Sequence, residues 1–118
     1  MSAESALRTV LLAAAPVVAL AGSRIASDRA EEGWPRPFVV FSRTGTEMHT
    51  DLDNVALAAT ATVELQIWAD TRAAAELLSD ACQAAVEAAG EAVISRSSAY
   101  DPDLDVEGTI LIVEWWED

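Results

Sequence analysis

The sequence has few of the residue types on which most active sites, metal sites and disulfide frameworks depend. Its 118 residues include one cysteine, Cys82, so no disulfide can form within it. They include one histidine, His49, and no nucleophile pattern accompanies it. The glycine-rich motifs of phosphate-binding loops and the paired cysteines of zinc sites are missing as well. We therefore expect no enzymatic activity, no catalytic residue and no cofactor, with Cys82 as a small core residue and His49 as a solvated one.

Basic residues are also scarce, with seven lysine and arginine residues against twenty acidic ones and a formal net charge of −13. A surface of this sign repels phosphate backbones and anionic lipid headgroups. We therefore expect no membrane partner and no specific nucleic-acid partner. Most of the acidic excess is interpreted as a solvated surface.

The apolar stretch from Thr9 to Ala21 imitates the apolar region and small-residue end of a secretory signal. Three features favour a helix of the protein core instead. The charges before the stretch cancel, Pro16 interrupts it, and about thirteen residues are too few to cross a bilayer. The pattern predicts a helix over Ser5 to Ala15, a second short turn ending at Gly22, and a cytoplasmic origin.

The middle of the chain carries the clearest secondary-structure signal. From Ala61 to Ala69, apolar residues alternate with polar ones and a tryptophan, which is the period of a half-buried strand. Asp70 and Thr71 are good N-cap residues, because their side-chain oxygens accept from the free N–H groups of a first helical turn. The sequence predicts a helix over Arg72 to Ala89, ended by Gly90.

The sequence on either side of this unit predicts further strands and one long loop. Phe38 to Phe41 is apolar throughout, which is typical of a strand covered on both faces. Gly45 to Ala59 has no sustained period, so it is predicted to be a loop, with a helical turn begun by Asp53 as an option. The other predicted segments are an extended piece at 23–25, a polar linker at 28–37, a continuation of the strand to Thr44, a strand at 93–100, a turn at 101–105 and a strand at 109–116. This order predicts an α+β fold in a single domain, residues 1–118, with a single largely antiparallel sheet and two main helices packed on one face.

Trp68 is the most informative residue of the central strand. If Val63, Leu65 and Ile67 face the helix, Trp68 points to the other face of the sheet. A large aromatic side chain on a wet face is typical of an interface anchor. The alternative is that the linker around Trp34 folds over Trp68 and buries it. We also expect the predicted loop to be mobile in the free protein and ordered on assembly.

One acidic pattern is compared with a known metal site. Asp101, Asp103 and Asp105 match the first three ligand positions of an EF-hand loop. The glycine and bidentate glutamate positions of that loop are occupied by Val106 and Ile112. The pattern therefore favours a capped acidic turn, with weak divalent-cation binding by the three aspartates as the alternative.

Several stretches together resemble the tail-terminator or tail-completion proteins of long-tailed phages, prophages and gene transfer agents. The resemblance runs nearly end to end and is carried by structural segments rather than by catalytic motifs. These segments are A-P-V-V-A-L-A-G-S-R-I near the N-terminus, the linker D-R-A-E-E-G-W-P-R-P-F-V-V-F, the unit V-E-L-Q-I-W-A-D-T-R-A-A-A-E-L-L, and the late Y-D-P-D-L-D before a strand ending in W-W.

The resemblance implies a homo-oligomeric ring, usually of six copies, that caps the tail tube and stops its polymerisation. Its implied partners are the tail tube protein and a head-side connector or stopper protein. The implied location is the head-proximal end of the virion tail, assembled in the bacterial cytoplasm, with DNA passing through the ring. An acidic surface suits such passage without binding the DNA.

The candidate interface residues follow from the exposed strand face and from the predicted loop. They are Trp68, Gln66, Glu64, Arg43, Thr44, Glu47, Met48 and His49. A second hypothesis from another class is a small non-viral α+β domain that binds a ligand or acts as an enzyme, as a monomer or dimer.

Overall fold

The computed structural model describes residues 2–50 and 56–117. At its centre lies the predicted unit, a strand β3 (Ala56–Ala69) followed by a helix α3 (Arg72–Ala88). The side chain of Thr71 caps the helix by accepting from the backbone N–H of Ala74 at 3.1 Å. Gly90 follows the helix with a φ of 85°, which a glycine adopts without strain. The predicted strand, the N-cap at Thr71, the helix and its end near Gly90 are therefore confirmed.

The sheet has five strands among the described residues. The added strands are β1 (Ile25–Ser27), β2 (Phe38–Thr50), β4 (Ala92–Asp101) and β5 (Val106–Glu117). The spatial order is β1-β2-β3-β5-β4, in which β1 is parallel to β2 and the other neighbours are antiparallel. The predicted α+β class with a largely antiparallel sheet is confirmed.

Helices α1 (Ala3–Ala13) and α2 (Ala15–Ala21) pack with α3 on one face of the sheet. The predicted helix and short second turn correspond to α1 and α2, and Pro16 lies in the first turn of α2, where its missing N–H has no partner to lose. The core between helices and sheet is apolar. Its fully buried large side chains include Leu7, Leu11, Phe41, Leu65, Ile67, Leu78 and Leu111.

The apolar N-terminal stretch therefore faces the protein core. In the part of the chain that the structure describes, no single helix is long and apolar enough to span a membrane. Helices α1 and α2 reach that length and composition only together, and they are bent by 86° at their junction.

The prediction of a long loop over Gly45 to Ala59 is wrong. Residues 45–50 extend β2 and residues 56–59 begin β3, with Gly45 opposite Thr62 and His49 opposite Ala58. This part of the hairpin extends beyond the strand residues that carry the core, so its side chains show little apolar alternation, and backbone pairing defines it. The helical turn suggested at Asp53 lies outside the described residues. We call residues 44–50 and 56–60 the hairpin arm.

Candidate functional site

The face of the sheet opposite the helices carries most of the candidate residues. In β3, Val63, Leu65 and Ile67 are buried under the helices, whereas Gln66 and Trp68 are only partly buried. Residues directly opposite one another on neighbouring strands share a face. We call this surface the outer face, and it is formed by Phe38, Val40, Glu64, Gln66, Trp68, Val106, Gly108, Ile110 and Ile112.

Trp68 lies on the outer face as the alternation predicts, and its indole ring lies close against Gly108. A Cβ atom at Gly108 would be 2.6 Å from Cζ3 of the ring, so only glycine fits beneath it. The indole Nε1 donates to Oε1 of Gln66 at 3.3 Å, and Nε2 of Gln66 donates to Oε1 of Glu64 at 2.9 Å. The three predicted outer residues are thus connected along one strand.

A groove of about 290 Å³ runs beside Trp68 on the outer face. One wall comes from the linker after β1, where Trp34 packs on Phe38 with ring centroids 6.3 Å apart. The other wall comes from the turn before β5, including Leu104. The linker therefore borders Trp68 and leaves it partly exposed. This arrangement is intermediate between the fully exposed anchor and the Trp68 buried by the linker that the sequence analysis considered.

Arg43 connects three elements within the chain. Its Nη2 lies 2.6 Å from Oε1 of Glu4 in α1 and 2.6 Å from Oε2 of Glu117 in β5. Glu117 also accepts from the backbone N–H of Ala3 at 2.7 Å. The guanidinium lowers the pKa of both carboxyl groups from their ordinary value. The ion pairs of Arg43 therefore connect α1 to the sheet.

The hairpin arm brings together residues that the sequence analysis treated separately. The ring of His49 lies over that of Trp116 with centroids 4.8 Å apart, and its Nε2 is 2.9 Å from Oγ1 of Thr60. Thr44 donates from Oγ1 to the carbonyl oxygen of Thr62 at 3.3 Å. The side chain of Met48 is 60% exposed and that of Trp116 is 52% exposed, and Glu47 is exposed as well. The pairing of His49 with Trp116 was missed because residues 45–50 were assigned to a loop.

The three aspartates of the acidic turn do not converge. Asp101 accepts from the backbone N–H of Asp103 at 3.0 Å, and Asp105 accepts from the hydroxyl of Tyr100 at 2.7 Å. In residues 2–50 and 56–117, no three histidine, cysteine, aspartate or glutamate side chains are placed to hold a metal ion. The carboxylates of Asp101 and Asp105 thus accept hydrogen bonds within the turn and from the adjoining strand, which is the arrangement of a capped acidic turn.

The thiol of Cys82 is poorly placed to act as a nucleophile. Cys82 is buried in the core, as predicted, and burial raises the pKa of its thiol to about 12. At neutral pH the thiol is therefore protonated and out of contact with solvent.

Most of the basic side chains make hydrogen bonds or ion pairs within the chain. All seven are arginines, and six of them donate to carboxylates or to backbone carbonyl oxygens. Arg29 is exposed, and within the described residues it makes no such contact. Four of the seven positive charges, those of Arg36, Arg43, Arg72 and Arg96, are thus paired with carboxylates, and the net charge of the molecule remains strongly negative.

Comparison with known proteins agrees with the fold. One chain in a solved structure, described as the virion of a native gene transfer agent (GTA) particle, superposes with a TM-score of 0.84 over 98% of this chain and 93% of that chain. The sequence identity is 16%, so this likeness shows the shared fold. None of the curated proteins matches the sequence.

A protein-family model gives the assignment. The model described as "Tail completion protein gp17" matches residues 5–118, which includes every strand and helix except the first two residues of α1. The family is one of structural proteins of phage tails, and its match covers the segments on which the resemblance in the sequence was based. The chain belongs to the tail completion protein gp17 family.

Proposed function

We propose that this protein is the terminator of a phage-type tail. Copies of the chain, each acting as one domain, form a ring of six at the head-proximal end of the tail tube. The ring stops polymerisation of the tube and presents a surface to the head-side connector or stopper protein. The family match over residues 5–118 carries the proposal.

The outer face and the hairpin arm are the surfaces that we assign to these contacts. The groove beside Trp68 has an apolar floor and open access, as a site for a partner side chain requires. Met48 and Trp116 expose apolar surface on or beside the arm. Thr44, Glu47 and His49 lie on the same arm, whereas Arg43 acts indirectly by fixing the arm to α1.

The acidic surface fits passage of DNA through the ring. With four of its seven arginines paired with carboxylates and a net charge of −13, the chain offers few cationic groups to phosphates, so DNA passes without being retained. In this proposal the protein acts structurally, without catalysis, and the particle is a phage or a gene transfer agent whose assembly takes place in the bacterial cytoplasm.

Deletion of the gene in the producing cell tests the terminator role. We expect tails of widely varying length that carry no heads, and restoration of both features by the wild-type protein. Electron micrographs give the tail lengths and the fraction of tails with heads. Normal tail lengths with attached, DNA-filled heads in the deletion strain would contradict the proposal and favour an unrelated ligand-binding or enzymatic role.

A pair of surface variants tests whether the hairpin arm or helix α3 makes the contacts. Met48→Asp changes the hairpin arm, and Leu77→Asp changes a side chain of α3 that is 57% exposed on the helix side. Both replace an exposed apolar residue with the same charge, so both should fold. We expect Met48→Asp to reduce complementation of the deletion at least tenfold and Leu77→Asp to complement nearly as well as the wild type. The reverse result would assign the contacts to α3.

A further inference from the structure

The sheet ends in two strands that have backbone available for pairing. Strand β1 has three residues and pairs only with Val39–Phe41 of β2. Among the described residues, no strand pairs with residues 42–50 on that side of β2. At the opposite end, β4 pairs with β5 alone. We call residues 42–50 the β2 edge and residues 92–101 the β4 edge.

These two edges lack most features that protect exposed strands from pairing. Neither contains proline, and proline or outward charge is the usual protection. The charge of Arg96 on the β4 edge is drawn onto α3, where it lies 2.6 Å from Glu76 and 2.9 Å from Asp80. On the β2 edge, Arg43 is held by its two glutamates, which leaves Glu47 as the exposed charge. Register shifts interrupt the β2 ladder at Arg43/Gly45 and His49/Thr50 and the β4 ladder at Val93/Ser95, so the register is regular over residues 45–49 and 95–101.

The direction of the strands makes the two edges complementary. β2 is antiparallel to β3, β3 to β5, and β5 to β4, so β4 runs opposite to β2. If a second copy is placed beside the first by rotation about an axis roughly along the strands, the β4 edge of one copy meets the β2 edge of the next in antiparallel orientation. Each copy added in this way leaves the same two edges free at the ends, so the series ends only when it closes.

We propose that copies of this chain join by antiparallel pairing of the β4 edge of one copy with the β2 edge of the next. This inference rests on the proposed function, which requires a ring. The result is one continuous sheet around the ring, in which the backbone groups of both edges gain partners. It also explains why two long edges remain unprotected in one small domain.

The β2 edge and the β4 edge lie at different positions along the strand direction. Neighbouring copies must therefore be offset along that direction for the two edges to pair. Within one chain, Ser97 lies level with Val40 through Ile110 and Gln66. Glu47, near the middle of the β2 edge, lies about six residues further along the strand direction. Closing a sheet into a barrel requires strand tilt and such a stagger in register. The offset is therefore in accord with a closed ring.

Disulfide trapping with matched positions tests this pairing. Glu47 and Ser97 are exposed on the two edges, and their cross-strand neighbours place both side chains on the outer face. In one chain the two strands are separated by three strand spacings, about 14 Å, which exceeds the reach of a disulfide. A bond between Glu47→Cys and Ser97→Cys must therefore join two copies. Cys82 is buried and stays in place, with the wild type as its control.

A short scan of cysteine positions tests different registers between the β2 edge and the β4 edge, with a control pair on the opposite face of the sheet. Glu47→Cys is combined in turn with cysteine at Ser95, Ser97 or Ala99, which alternate onto the outer face. The control is Glu47→Cys with Ser98→Cys, because one residue along a strand turns the side chain to the other face. Circular dichroism and negative-stain images of the reduced proteins verify folding and ring formation.

We expect at least one outer-face pair to give, on oxidation, a ladder of covalent oligomers up to the copy number of the ring, and at least tenfold less product from the Ser98 control. Rings without cross-links at any outer-face pair would overturn edge pairing and leave the terminator role standing. Efficient dimers from Ser97→Cys alone would also overturn it, because they indicate pairing of two β4 edges. If no variant and no wild-type protein forms rings, alone or on tail tubes, the proposed function fails together with this inference.

Discussion

At the scale of single residues, the close contact between Trp68 and Gly108 determines the shape of the outer face. The alternation of β3 predicts where Trp68 points, because one face of the strand is apolar. It does not predict Gly108 as the site beneath the ring, since that depends on the register between β3 and β5, which sequence periodicity does not contain.

Gly108→Ala should lower the free energy of unfolding by about 1 to 3 kcal/mol, because the added Cβ would overlap the indole ring. In a Trp68→Ala background the same change should cost less than about 0.5 kcal/mol, since the ring is gone. Chemical denaturation of the four proteins of this cycle measures the difference. An equal cost of Gly108→Ala in both backgrounds would show that the ring does not set the constraint.

The ion pairs of Arg43 are a second residue-scale feature, and the periodicity of the sequence does not predict them. Arg43 is one of the candidate interface residues named from the sequence. The structure instead brings Glu4 and Glu117 from the two ends of the chain to its guanidinium. Such long-range contacts become visible only when the register is known.

Arg43→Gln should lower the free energy of unfolding at pH 7 by about 1 to 2 kcal/mol, because two partly exposed carboxylates lose their partner. Both carboxyl groups have a folded-state pKa below the ordinary value of 4.5. Their contribution is therefore present above that pH and is lost as the pH falls through the folded pKa.

Denaturation curves of the wild type and of Arg43→Gln at neutral and at acidic pH measure this effect. We expect the difference between the two proteins to shrink toward zero in acid. Arg36→Gln is the matched control, because its partner Asp70 is 66% exposed and its loss should cost less than about 0.5 kcal/mol. A difference for Arg43→Gln that does not change with pH would rule out the ion pairs as its cause.

At the scale of elements, local sequence signals predicted the strand β3, the helix α3 and the final strand correctly. These elements bury one face or both, so apolar periodicity reports them directly. The hairpin arm was missed because most of its side chains are exposed and its threonines, alanines and glycine follow no apolar period. Strand pairing outside the core leaves little pattern in the sequence.

The N-cap of α3 gives an element-scale prediction. Thr71→Ala should lower the free energy of unfolding by about 1 kcal/mol, because the backbone N–H of Ala74 loses its side-chain acceptor. Thr71→Ser keeps the hydroxyl group and should stay within about 0.5 kcal/mol of the wild type. Thermal or chemical denaturation separates the two. Equal destabilisation by both variants would mean that the methyl group, and not the cap, stabilises this turn.

At the scale of the whole molecule, the charge distribution governs association. The net charge of −13 was read from the sequence, but the pairing of four of the seven arginines with carboxylates was not. Identical copies therefore approach one another with like-charged surfaces. The attraction that joins them must come from backbone pairing and apolar contacts.

Self-association should strengthen with salt. The screening length falls from about 10 Å at 0.1 M to about 3 Å at 1 M salt, which weakens repulsion between exposed carboxylates and leaves backbone hydrogen bonds largely unchanged. We expect the association constant to rise at least threefold over this range, measured by light scattering or sedimentation. Weaker association at high salt would indicate that complementary charges, rather than edge pairing and apolar contact, hold the copies together.

Direct observation of tail ends tests the terminator role most closely. Headless tails from the deletion strain are mixed with the purified protein and imaged by electron microscopy. The account predicts a ring at one end only of each tube, no further growth when tube subunits are added, and recovered joining to heads. Tubes that remain bare at both ends and continue to grow, or protein bound along their whole length, would contradict it.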